Sequence, residues 1–304
     1  LTGVRPARTG IIANRWIDQS VAREDKVVYC MEDETAPGSN SKNYQASLRH
    51  LRVPTLGDRL KAASSASRVV SVAGKDRSAL LMGGKGSDET WWWGGRGFTS
   101  LAGKRAPPAV AKLNEMLEAD IPRPAAPLAL PDFCAARSDP VTLVDGRVVG
   151  ADRFARGADD LRGFAVSPSL DLATLALASA LRDELDLGRG PAVDLLAIGL
   201  SATDLIGHAY GTEGGEMCLQ MAALDRALGE FLATLDARGV DYLVALTSDH
   251  GGHDTPERAQ VNAIPDDVRL DKALRPDAFN AAVAKRAGLG GVVLLGTDPA
   301  GDFY

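Results

Sequence analysis

Residues 194–211, DLLAIGLSATDLIGHAYG, decide how the rest of the sequence reads. Asp194 to Leu200 is almost continuously apolar, the pattern of a strand buried on both faces. It gives way to Ser201-Ala202-Thr203-Asp204, with His208 four residues beyond Asp204. If the turn after the strand is helical, Asp204 and His208 point to one side and can bind one ion. Ligands of open α/β sheets bind beyond the carboxyl ends of strands, and this polar cluster lies in such a place.

Working outward, the pattern repeats. Residues 213–237 put Met217, Met221, Leu224, Leu228, Phe231 and Leu235 at spacings of three and four, an amphipathic helix. YLVALT (242–247) reads as a second apolar strand, followed by Asp249-His250-Gly251-Gly252-His253-Asp254. Asp249 and His250 are adjacent and diverge on a straight strand. Both serve one ion only if the chain bends, which Gly251 and Gly252 permit. Upstream, RVVSVA (68–73) reads as a third buried strand, ending in Gly74-Lys75-Asp76-Arg77. On an extended segment Lys75 and Arg77 face the same way and suit a phosphoryl dianion. Taken alone, the pair reads better as a solvated charged turn.

Helices are expected from Pro54, from Pro168 to about 187 and over 276–287, and strands at 26–30 and 291–295. Residues 31–45 read as an exposed loop. Residues 83–105, with Trp91, Trp92 and Trp93, read as an irregular loop or hairpin packed as a lid on the core. Residues 106–165 are Pro-rich and read as an insertion, with a hairpin at 141–150 turning at Asp145-Gly146. Strands apolar on both faces, alternating with helices, imply an α/β fold with a largely parallel central sheet sandwiched between helices.

Composition narrows the classes. The 304 residues are 45% hydrophobic and 24% charged, which excludes a disordered chain or a coiled coil. A net charge of -6 argues against a broad nucleic-acid surface. No apolar run approaches the ~18 residues of a membrane span. Cys30, Cys134 and Cys218 form no C-x-x-C pair, which excludes a zinc ribbon. Pairing of Cys30 with Cys134 is one reading; three buried thiols is the preferred one. A lone Asp or His is better explained as a cap or surface hydrogen bond. Two Asp/His pairs at strand ends, in a chain with only four histidines, favour a metal. Carboxylate with neutral imidazole favours zinc or a similar borderline ion.

The segments TGVRPARTGIIANRW (2–16), GKDR (74–77), SATDLIGHAYG (201–211) and TSDHGG (247–252), in this order, resemble the alkaline phosphatase superfamily. The branch is that of phosphodiesterase/nucleotide pyrophosphatases and threonine-nucleophile bacterial alkaline phosphatases, and GKDR resembles its phosphate monoesterases. The resemblance implies an alkaline-phosphatase-like fold with two Zn2+ ions, hydrolysing phosphate monoesters through a phosphothreonine intermediate. Asp204 and His208 would hold one zinc, and Asp249 and His250 the other. Asn14, Lys75 and Arg77 would contact phosphoryl oxygens. By the same resemblance the nucleophile and an early aspartate ligand fall upstream of Leu1, and a last histidine falls beyond His253. His253 is expected to play a supporting role. The chain is therefore expected to be one incomplete catalytic domain, inactive alone, with a core at about 1–105 and 166–304 and an insertion at about 106–165. Small phosphate monoesters are the expected partners, with no nucleic acid and no membrane, for a monomer that is periplasmic or secreted. The alternatives are a phosphodiesterase or nucleotide pyrophosphatase, and a non-catalytic metal- or phosphate-binding module.

Overall fold

A computed structural model of the chain describes residues 1–262, 264–297 and 302–303. In chain order the elements begin with α1 (Pro6–Thr9), β1 (Arg15–Ile17), β2 (Val27–Tyr29), α2 (Leu56–Ala63), β3 (Val69–Ala73) and α3 (Asp76–Gly83). There follow β4 (Glu89–Trp93), β5 (Phe98–Thr99), α4 (Pro108–Asp120), α5 (Asp132–Ala135), β6 (Val141–Thr142), β7 (Val148–Val149), α6 (Leu161–Ala165) and α7 (Pro168–Glu184). The last are β8 (Leu195–Gly199), α8 (Ala202–Tyr210), α9 (Gly215–Arg238), α10 (Pro256–Asn262), α11 (Pro276–Ala287), β9 (Gly296–Thr297) and β10 (Asp302–Phe303).

The chain divides into two compact units, one of Thr55–Asp267 with Leu1, the other of Thr2–Pro54 with Val268–Tyr304. The larger unit is built on a four-stranded mixed sheet in the order β5-β4-β3-β8. β3 pairs in parallel with β4 and with β8, and β5 closes the other edge antiparallel to β4. All five residues of β3 are buried, as an apolar strand between two neighbours must be. Helices flank the sheet: α3 and α7 pack on β3 and β8, α4 and α9 pack on α7, and α8 packs on α9. The core joins Val70, Val72, Trp91, Leu170, Leu177 and Ile206, each worth about 1.5–3 kcal/mol on burial.

The helix ends have local causes. Ser167 caps α7 through Ser169 N–H, with Pro168 at the first helical position. α9 ends at Gly239, whose φ of 63° is left-handed. Thr55 and Asp58 form a reciprocal capping box on α2, so Pro54 precedes that helix and does not open it.

Several expectations are corrected. Trp91, Trp92 and Trp93 are no lid: they lie in β4, a central strand, with Trp91 and Trp92 buried. The expected hairpin exists, as β4 with β5, because β3 needs a neighbour on each side. Residues 242–247 form no strand; Leu243, Val244 and Leu246 are exposed, and β8 pairs only with β3 among the described residues. An apolar run is a strand only when a ladder takes up its backbone groups. Residues 291–295 are not a strand either, since Asn280 Oδ1 accepts Val293 N–H and Leu294 N–H; the strand is β9, just beyond. In the 31–45 loop, Met31 and Glu32 are buried, Glu32 accepting from Arg23, Tyr29 N–H and Ser39.

Neither reading of the cysteines holds. Cys134 is bonded to Cys218, joining the 132–135 turn to α9, and Cys30 stays a buried thiol. Within 106–165 the hairpin appears as β6 with β7, and α4 packs against α7.

In the smaller unit β1 and β2 form an antiparallel ladder, extended by Cys30 N–H donating to Asn14 O. β1 also lies against β9, which pairs with β10. A cavity of about 480 Å3 here is lined by Asp18, Glu34, Arg49, His50 and Arg52, with Arg49 and His50 both meeting Glu34, at 3.0 and 3.1 Å.

Candidate metal and phosphoryl site

The register of the sheet builds the site. β3 and β8 run parallel with Ala73 opposite Gly199, so both strands release their chains at the same end. Gly74 N–H donates to Gly199 O at 3.1 Å. A Cβ on Gly74 would lie 2.7 Å from Ser201 Cβ and 3.0 Å from Leu170 Cδ2, so only glycine fits this approach. Lys75, the next residue, reaches across and forms an ion pair with Asp204.

α8 begins beside that strand end. Its capping residue, Ser201, makes no side-chain cap. Asp171 of α7 does the work instead, accepting Ala202 N–H at 2.9 Å. Gln220 of α9 donates to Asp171 at 3.0 Å and to Thr203 Oγ1 at 3.2 Å. Burial pushes the Asp171 carboxyl up to about 6, against the pull of its hydrogen bonds. Neither residue stands out in the sequence; the one signal is a carboxylate and an amide set among apolar helix positions.

One turn of helix brings Asp204 Oδ1 and His208 Nε2 to 3.5 Å. The chain bends at Asp249. That bend lets His250 Nε2 lie 3.5 Å from Asp249 Oδ2 and 3.7 Å from Asp204 Oδ1. Lys75, Asp204, His208, Asp249 and His250 therefore meet at one place. Burial pushes the Asp204 carboxyl up, but Lys75, helped by His208 and His250, outweighs it and holds the group below the usual carboxylate range. The Gly251 carbonyl, then Asp249 and Asp204, raise the His250 imidazole above its ordinary value.

The remaining expected residues stand differently. Arg77 is not on an extended segment: Lys75 caps α3 and Arg77 lies in its first turn, with its N–H held by Asp76. The two basic side chains thus leave a cap and a helix, not one face of a strand. Asn14 belongs to the smaller unit, exposed on a bend before β1. His253 turns to Asp267, 3.8 Å away.

The donor set suits a borderline metal. Zinc ligands at ~2.0–2.1 Å in a tetrahedron stand about 3.3–3.4 Å from one another. The carboxylate–imidazole separations of 3.5–3.7 Å are within a few tenths of that. Among the described residues no three His, Cys, Asp or Glu side chains are already gathered to hold an ion. Asp204 is instead compensated by the Lys75 ammonium.

The whole-chain comparisons agree with these segments. The model of the family "Type I phosphodiesterase / nucleotide pyrophosphatase" matches residues 1–296. Alkaline phosphatase PhoK of Sphingomonas sp is 50% identical over 306 residues, 100% of this chain and 55% of PhoK. Alkaline phosphatase PhoD of Zymomonas mobilis subsp. mobilis is 45% identical over 308 residues, 100% of this chain and 53% of PhoD. The crystal structure of wild-type alkaline phosphatase PafA superposes with a TM-score of 0.76 at 26% identity, over 94% of this chain and 58% of PafA. The chain spans about half the length of the curated relatives it matches. With its motifs in order, its sheet matched and 296 residues aligned, the chain belongs to the type I phosphodiesterase/nucleotide pyrophosphatase family of the alkaline phosphatase superfamily.

Proposed function

We propose that this chain carries the phosphoryl and metal-binding core of a zinc-dependent alkaline phosphatase that hydrolyses phosphate monoesters through a phosphothreonine intermediate. The observation that carries the reading is the meeting of Lys75, Asp204, His208, Asp249 and His250 at the carboxyl ends of β3 and β8. Phosphoryl transfer depends mainly on charge placement and alignment. Bound zinc supplies activation of the attacking oxygen and stabilisation of the leaving one.

The chain's own residues do the rest. Asp204 with His208, and Asp249 with His250, would hold metal as carboxylate and neutral imidazole. The Lys75 ammonium, paired with Asp204 in this structure, would contact a phosphoryl oxygen if that carboxylate served a metal. Arg77 takes a further oxygen pair with its planar fork. A monoester leaves oxygens free for both Lys75 and Arg77, where a diester has one fewer. That favours a monoesterase over the diesterase activity in the family's description. The Cys134–Cys218 bond favours an oxidising, periplasmic or secreted location. Small phosphate monoesters are the partners in this reading, for a monomer without nucleic-acid or membrane partners.

The test compares p-nitrophenyl phosphate with its bis-ester in the full-length protein, before and after Arg77→Ala. A monoester preference that falls by at least about tenfold is expected, the loss of one charged hydrogen-bonded contact. A diester preference untouched by the substitution would reverse the assignment.

A further inference from the structure

Arg258 and Asp254 take no part in the proposed chemistry, yet they form a buried ion pair beside it. Their side chains are 7% and 6% exposed, with Arg258 Nη1 2.8 Å from Asp254 Oδ1. That same carboxylate oxygen accepts Thr212 N–H at 2.8 Å. Both terminal guanidinium nitrogens donate to the carbonyl of Tyr210, the last residue of α8, at 3.4 Å. The pair thus grips the chain where α8 ends, two residues past His208, from a segment that starts four residues past His250.

The backbone is shaped around this grip. Gly211 has a φ of 88°, and a Cβ there would stand 2.1 Å from Asp254 Oδ1 and 2.6 Å from Arg258 Nη1. A Cβ on Gly214 would stand 2.8 Å from Arg258 Nη2, and one on Gly252 2.6 Å from Thr212 Cγ2. Upstream, residues 241–248 belong to no strand, and Leu243 is 95% exposed. The sheet therefore does not fix Asp249 and His250, and the hydrogen-bonded ion pair lies just beyond them.

We infer that Asp254 and Arg258 are positioning residues, a clamp that holds the Asp249–His250 segment against the end of α8 so that both Asp/His pairs face one metal site. This rests on the reading that these pairs bind metal. A buried ion pair adds little net stability over apolar replacements, but it fixes register, and breaking it leaves an uncompensated charge.

Asp254→Asn and Arg258→Lys in the full chain test it, with zinc affinity read by chelator competition and amide hydrogen exchange read alongside. Asp254→Asn should weaken zinc binding on the order of tenfold, as loss of a ligand-orienting contact does, and should raise exchange at 211–214 and 248–255 alone. Arg258→Lys keeps the charge but not the fork, and should recover part of both. If the wild type binds zinc and both variants match it, the clamp is wrong and the metal reading stands. If exchange rises across the whole unit, the pair is a stability element and not a clamp. A wild type that binds no zinc overturns the metal reading, and this inference with it.

Discussion

Burial of Asp171 makes the stability of the folded chain depend on pH. Its carboxyl is 2% exposed and is held by Ala202 N–H and the Gln220 amide. Burial raises it from an ordinary 3.8 to about 6. A carboxyl raised in this way binds its proton more tightly folded than unfolded, so between those two values the folded chain carries more protons. Stability from this group therefore falls as pH rises through the window: no penalty below the unfolded value, the full penalty above the folded one. The full difference is about 3 kcal/mol, of which about 2 kcal/mol falls between about pH 4.5 and about pH 7.5. Asp171→Asn removes the titration and keeps an oxygen for Ala202 N–H. Gln220 Oε1 is buried with no partner among the described residues and can accept from the new amide once that side chain turns over. Urea unfolding of both proteins at the two pH values isolates the effect from every other titrating group. The variant should gain about 2 kcal/mol on the wild type from the lower to the higher pH. An equal stability difference at both would refute the claim that burial dominates this carboxyl.

Gly74→Ala should cost about 1–3 kcal/mol by overpacking against Ser201 and Leu170, and should pull Lys75 away from Asp204; an unchanged urea midpoint would contradict it. Reduction of Cys134–Cys218, which closes a separation of 84 residues, should cost about 4–5 kcal/mol in unfolding experiments on the chain-entropy account. Thiol titration of the unfolded protein should give one equivalent before reduction and three after, and three at the outset would show the bond absent.

Much of the fold is legible because its signals are local. β3 and β8 are largely apolar runs, α9 keeps a 3.6-residue period until Gly239, and α7 announces itself with Ser167-Pro168. Within the site, Asp204 and His208 share a helical turn, so their spacing alone places them together. What fails is pairing at a distance. The Lys75–Asp204 contact depends on the register of two strands more than 100 residues apart, and no local pattern encodes that. The disulfide is the same case, since spacing does not reveal connectivity. Trp91–Trp93 misleads because glycines on either side signal a loop, while the aromatic run itself is strand-forming. The opposite error falls at 242–247, where an apolar run reads as a strand although no ladder partner meets it among the described residues.

Lys75 shows why a residue's chemistry can be legible while its partner is not. Residue type and position after β3 suit an anion contact, and the anion it meets in the folded chain is Asp204. Burying Asp204 works against its charge, and the ammonium reverses that balance. The carboxylate can therefore stay ionised at the strand end through compensation supplied by the chain itself. An ionised carboxylate is also the form a metal requires. On the proposed reading Lys75 and a divalent cation would address the same carboxylate, and an ion that took Asp204 would displace an ammonium within reach of the same strand ends. A phosphoryl dianion needs a positive group placed there. On that reading one ion pair both keeps the half-buried Asp204 carboxylate ionised and places a cation where the phosphoryl group would bind.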